Sequence, residues 1–88
     1  MSEYYFFHDE DKGNRIIKWF KQAHYGVIIL TNLNPVLFIL DGIMYTIKYI
    51  EDPEKIYCTR LYGGCIVSHH IPVINEIEKF LNELKNEN

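Results

Sequence analysis

The hydrophobic positions between Pro35 and Ile50 form two runs, one on each side of Asp41-Gly42. A two-residue Asp-Gly loop between runs of this kind is a strong hairpin signal, because a type I′ turn needs positive φ at both loop positions. The turn predicts a register in which Leu40 faces Ile43, Phe38 faces Tyr45 and Val36 faces Ile47. Both faces of this hairpin are apolar, so we expect it in the middle of a sheet.

The predicted register divides the hairpin's side chains between two faces. One face carries Val36, Phe38, Leu40, Ile43, Tyr45 and Ile47, and the other carries Leu37, Ile39, Met44 and Thr46. If two helices cover the first face, the second is an apolar patch of a kind that monomers rarely leave bare. We therefore predict a homodimer with Leu37, Ile39 and Met44 in the contact. If the helices take one face each, a closed monomer results instead.

Two segments have the spacing of hydrophobic residues that is typical of amphipathic helices. The firm part of the first is residues 15–24. The helix begins either at Asp9 or, because Asn is a good N-cap, only at Asn14. The second follows Pro72, which suits a first helical turn, and its apolar stripe covers residues 73–84. We expect both helices to pack on the sheet.

Three further segments have strand character, namely residues 27–30, 55–62 and 65–70. The last two flank Gly63-Gly64, which is a second tight-hairpin signal. Consecutive strands joined by short turns must be antiparallel. The sequence therefore predicts one α+β domain over residues 1–88, an antiparallel meander of four to five strands with an N-terminal and a C-terminal helix.

Composition and charge exclude several classes of function. The net charge is −3 with only nine lysines and arginines, so nucleic-acid binding is not expected. No apolar run approaches the ~20 residues that a membrane span needs, and residues 1–11 lack the basic region of a signal peptide. We expect a cytoplasmic protein without a membrane partner. Seven tyrosines beside one alanine indicate an AT-rich genome, as in many phages, archaeal viruses and low-GC bacteria.

Cys58, Cys65, His69 and His70 are the residues that would ligate zinc. A two-residue loop at Gly63-Gly64 places the two cysteines about four strand positions, roughly 13 Å, apart. It also points the adjacent histidines to opposite faces, and one tetrahedral ion cannot collect all four. We therefore predict no metal, no cofactor and no catalytic residue.

Two alternatives involve the same residues. The strand register sets Cys58 opposite His69, the minimum for a nucleophile–base pair in a minor Cys/His enzyme. His69 and His70 precede a helix N-terminus and could bind a nucleotide-like anion, as part of a small-ligand site at a subunit interface.

The first hypothesis, however, is a small non-catalytic protein-binding or regulatory protein. Viruses and mobile elements encode such proteins as inhibitors of host defence proteins, and the small size and surplus of aromatic residues fit that class. In a virus-encoded case the location would be the host cytoplasm. The aromatic candidates for partner binding are four consecutive residues near the N-terminus, Tyr4, Tyr5, Phe6 and Phe7. They would otherwise form a short edge strand or pack as a flap over the core.

Overall fold

The computed structural model describes residues 4–23 and 26–87. Their elements are a 3₁₀ turn at Phe6–His8, helix α1 (Glu10–Ala23), strands β1 (Val27–Thr31), β2 (Val36–Leu40), β3 (Ile43–Glu51) and β4 (Glu54–Arg60), a second 3₁₀ turn at Ser68–His70, and helix α2 (Ile71–Lys85). The strands form one antiparallel sheet in the order β1-β2-β3-β4, which confirms the predicted α+β class. His24, the last residue of the predicted first helix, lies outside the described residues.

The central hairpin has the predicted register. Leu40 pairs with Ile43, Phe38 with Tyr45 and Val36 with Ile47. Asp41 and Gly42 have φ of 50° and 77°, the left-handed values that a type I′ turn requires at both loop positions. Gly takes this conformation without steric cost, and Asp is among the few other residues that tolerate it.

Helix α1 begins at the earlier of the two predicted positions. The Asp9 carboxylate accepts a hydrogen bond from the backbone N–H of Lys12 at 3.1 Å, so Asp9 caps the first turn. Gly13 does not interrupt the helix. It is buried, and a Cβ there would lie 3.1 Å from Tyr5 Cδ1 and 3.2 Å from the Asn32 carbonyl oxygen. Gly13 therefore allows close contact between α1 and the segments beside it.

Both helices cover the same face of the sheet. The buried core consists of Phe6, of Ile16 and Phe20 from α1, of Val36, Phe38, Leu40, Tyr45 and Ile47 from the sheet, and of Ile74, Ile77, Leu81 and Leu84 from α2. Between the helices, the rings of Trp19 and Phe80 stack with centroids 4.3 Å apart. Of the two predicted arrangements, the structure has the one that leaves the second sheet face open.

The predicted second hairpin does not form. Strand β4 pairs only with β3 among the described residues, and residues 65–67 leave the sheet before the 3₁₀ turn at Ser68–His70. Gly63 and Gly64 do have positive φ, at 60° and 69°. The backbone N–H of Val67 instead donates to the Tyr45 hydroxyl at 3.3 Å, which ties this segment to the helix-covered face of the sheet. The pairing of Cys58 with His69 was therefore wrong.

Candidate functional site

The second face of the sheet, which we call the open face, is apolar on its β1–β2 side. Its members are Ile28, Leu30, Leu37, Ile39, Met44, Thr46, Lys48, Ile50, Lys55, Tyr57 and Thr59. Ile28 and Leu30 are 59% and 50% exposed. Leu37, Ile39 and Met44 are half-buried by their neighbours within the sheet. An apolar surface of this kind usually marks a contact site.

The β3–β4 side of the open face is more polar. The hydroxyls of Thr46 and Thr59 form a hydrogen bond of 3.0 Å across the two strands. The Lys55 ammonium lies 5.2 Å above the ring of Tyr57, and Lys48 is exposed. The open face thus has an apolar region with polar groups along one side, which resembles the core and rim of a protein–protein interface.

A hydrogen-bonded network of Tyr45, His70 and Asp41 lies on the helix-covered face of the sheet, beside the β2–β3 turn. The Tyr45 hydroxyl is 2.7 Å from His70 Nδ1, and His70 Nε2 is 3.1 Å from Asp41 Oδ2. His70 is only 3% exposed and Tyr45 is fully buried. A carboxylate only accepts, so in the neutral imidazole Nε2 donates to Asp41 and Nδ1 accepts from Tyr45. The buried ring therefore has both of its nitrogens paired.

His69 adds a third ligand-type side chain to this network. Its ring centroid is 4.3 Å from that of His70. One ligand atom each from Asp41, His69 and His70 can be chosen so that all three lie within 4.8 Å of one another. A strand over residues 65–70 would point the two histidines to opposite faces, but in the observed 3₁₀ turn their rings lie next to each other. Neither this cluster nor the role of Tyr45 was predicted from the sequence.

The two cysteines are free, and the surroundings of Cys58 disfavour nucleophilic chemistry. Cys58 pairs with Ile47 on β3 and packs against the core. Burial raises the pKa of the Cys58 thiol to about 12, so it stays protonated near neutral pH. The thiolate is the nucleophilic form, so Cys58 is a poor nucleophile. Cys65 is exposed in the segment that leaves the sheet.

The N-terminal aromatic residues divide between surface and core. Phe6 is fully buried, and its ring contacts that of Phe7 at a centroid distance of 4.7 Å. Phe7 in turn packs edge-on against Tyr49 at 5.0 Å. Tyr4 is exposed and Tyr5 is half-buried, forming an isolated bridge with Leu33. The segment thus packs over the core, and Phe6 is a core residue that presents no surface to a partner.

A shallow cavity of about 260 Å³ lies at the edge of the β2–β3 turn, lined by Gly42, Ile43, Met44, Arg60 and Tyr62. Ligand pockets for drug-sized molecules measure about 300–1,000 Å³, so this cavity is small for a nucleotide-sized ligand.

Neither a family model nor a curated protein nor a solved structure matches the chain. No helix among residues 4–23 and 26–87 combines the length and apolar character that crossing a membrane requires.

Proposed function

We propose that the chain is a small non-catalytic protein-binding protein, and that the partner that covers its open face is a second copy of itself. The observation that carries this proposal is the distribution of hydrophobic residues over the sheet. Both helices lie on one face. The opposite face still presents Ile28 and Leu30 at half exposure or more, beside Leu37, Ile39 and Met44.

The size of the open face fits a small interface between two copies. Its strands have five, five, nine and seven residues, which at ~3.4 Å per residue and ~4.8 Å between strands project to about 420 Å². A standard interface buries about 800 Å² of accessible surface per partner, and the accessible surface of a corrugated sheet exceeds its projection.

The chemistry of the open face also suits a second copy. Two sheets stack at ~10 Å with their side chains interdigitated, as in β-sandwiches. A two-fold axis would bring the apolar β1–β2 sides together, since such an interface uses the same patch on both subunits. Lys48 and Lys55 would then remain at the polar rim in contact with water.

We extend the proposal to a regulatory role, that of an inhibitor which a virus or mobile element encodes against a host protein. The AT-rich amino-acid usage and the small size support this class. Such a protein acts by occupying a surface of its target, so it needs exposed contact residues and no catalytic constellation. Tyr4 is an exposed aromatic candidate for that second contact.

The two alternatives have less support. An anion at His69 and His70 would meet the carboxylate of Asp41, which lies 3.1 Å from His70 Nε2. An enzyme that uses Cys58 would need a thiolate, whereas burial raises the pKa of Cys58 to about 12. The uncovered apolar face therefore supports protein binding better than these arrangements support either alternative.

A pair of matched variants tests the proposal. Ile28→Lys places a charge on the open face, and Ile71→Lys does the same at the start of α2, where the isoleucine is 44% exposed. We expect Ile28→Lys to be a folded monomer and Ile71→Lys to keep the mass of the wild type, since a charge is costly only where it becomes buried. Equal masses for the two variants in light scattering, with both folded by circular dichroism, would contradict the proposal.

A further inference from the structure

We propose that Asp41, His69 and His70 form a binding site for a divalent transition-metal ion of the zinc type. The site would lie between the β2–β3 turn and the start of α2, on the opposite side of the sheet from the open face. It does not depend on the proposed dimer, because no residue of the open face contributes a ligand.

The distances suit such an ion. Zinc binds imidazole nitrogen and carboxylate oxygen at about 2.0–2.2 Å, so two ligand atoms in a tetrahedral site are about 3.3 Å apart. His70 Nε2 and Asp41 Oδ2 are already 3.1 Å apart. The ligand atom of His69 lies within 4.8 Å of both, and its side chain is exposed and can turn. Only one of the three ligands therefore has to move.

Two of the ligands are held by the fold. His70 is buried at the junction of the 3₁₀ turn and α2, and its ring packs edge-on against Tyr45 with centroids 5.7 Å apart. Asp41 is the first residue of the tight β2–β3 turn, which fixes its backbone at φ 50°. Preorganised ligands reduce the entropy lost on binding.

Tyr45 supplies the outer contact that metal-bound histidines need. When Nε2 gives its lone pair to a metal, the ring proton lies on Nδ1 and is donated to a fixed acceptor. The Tyr45 hydroxyl oxygen, 2.7 Å from Nδ1, is that acceptor. Its second lone pair accepts the backbone N–H of Val67 at 3.3 Å. The Tyr45 hydroxyl must then turn its own proton away from Nδ1, so the hydrogen bond of the metal-free network competes with the metal.

The ligand set selects the class of ion. Two imidazoles and one carboxylate suit zinc and its neighbours in the first transition row, whereas magnesium and calcium prefer sites made of oxygen alone. The Asp41 side chain is 71% exposed and His69 is exposed, so a fourth position faces solvent. A water molecule or a side chain of a binding partner can complete the tetrahedron.

The test is titration of the wild-type chain with Zn²⁺ by calorimetry and with Co²⁺ by visible absorption. We expect one ion per chain and the intense d–d bands of tetrahedral cobalt. Asp41→Asn keeps a residue that tolerates positive φ and an oxygen that can accept from His70. His69→Gln changes an exposed side chain. Each variant should fold normally and weaken Zn²⁺ binding at least tenfold.

His8→Gln is the matched control, since His8 is an exposed histidine in the N-terminal 3₁₀ turn near Glu51. Cys65→Ser removes the exposed thiol. Both controls should bind Zn²⁺ as the wild type does. The proposal is overturned if the wild type binds no Zn²⁺, if either ligand variant binds as tightly as the wild type, or if a control loses as much affinity as the ligand variants.

Discussion

Replacing Tyr45 by Phe removes one buried oxygen and keeps the ring, so it isolates the Tyr–His–Asp network. The aromatic contact with Phe38, at a centroid distance of 5.5 Å, should remain. Two hydrogen bonds are lost, the 2.7 Å bond with His70 Nδ1 and the 3.3 Å bond from the Val67 N–H. His70 is only 3% exposed, so its Nδ1 would be left without a partner.

The magnitude follows from that unpaired nitrogen. A buried polar group left without a partner costs about 1–3 kcal/mol, and the longer bond to Val67 adds little. We expect Tyr45→Phe to lower the free energy of unfolding by about 2 kcal/mol. With a urea m-value of about 1 kcal/mol/M for a chain of this size, the midpoint should fall by about 2 M.

The assay is urea unfolding followed by circular dichroism, with Tyr62→Phe as the control. Tyr62 is exposed, so loss of its hydroxyl should leave the midpoint within experimental error. A shift below about 0.5 kcal/mol for Tyr45→Phe would refute the reasoning, because it would mean that His70 does not depend on the tyrosine for its second hydrogen bond.

Two further predictions concern the turn and the thiols. Gly42→Val should lower the free energy of unfolding by more than ~1 kcal/mol, because a β-branched residue resists the φ of 77° found there. Gly42→Asn is the control, since Asn tolerates positive φ. An unchanged urea midpoint for Gly42→Val would contradict the prediction. Ellman titration should count one reactive thiol in the folded protein, Cys65, because Cys58 is partly buried with a pKa raised to about 12, and two after denaturation. A count near zero in denatured, unreduced protein would reveal a disulfide.

The central hairpin could be predicted because its signals are local. The Asp41-Gly42 loop sets the register, and the alternation of side chains follows from the pleat, so residues between Val36 and Ile47 fell on the predicted faces. The exposed second face followed from a coverage argument, since two helices are about as wide as one face of a four-stranded sheet.

The segment after β4 could not be predicted in the same way. Gly63 and Gly64 have the positive φ that a tight hairpin would need, so local conformation was compatible with a fifth strand. The outcome depends on contacts distant in sequence, namely the hydrogen bonds that join the Tyr45 hydroxyl to His70 Nδ1 and to the Val67 N–H. Residues 65–70 can either pair with β4 or form hydrogen bonds with Tyr45. Nothing within residues 61–70 shows which of the two is formed.

The cluster of Asp41, His69 and His70 was missed for the same reason. Its members come from the β2–β3 turn and from the second 3₁₀ turn, which the fold brings together across 27 or more residues of chain. The one available signal was Pro72. It marks the start of a helix, and histidines just before it lie in a turn, where neighbouring side chains need not point apart as they do in a strand.

The most direct test of the open face is the mass of the wild-type protein in solution. Light scattering after size exclusion, over a hundredfold dilution, should give twice the chain mass of 10.5 kDa at high concentration. The mass should fall toward that of one chain only on dilution, as mass action requires for a two-copy equilibrium. A constant mass of 10.5 kDa at every concentration would contradict the account, because the open face would then remain uncovered in a stable monomer.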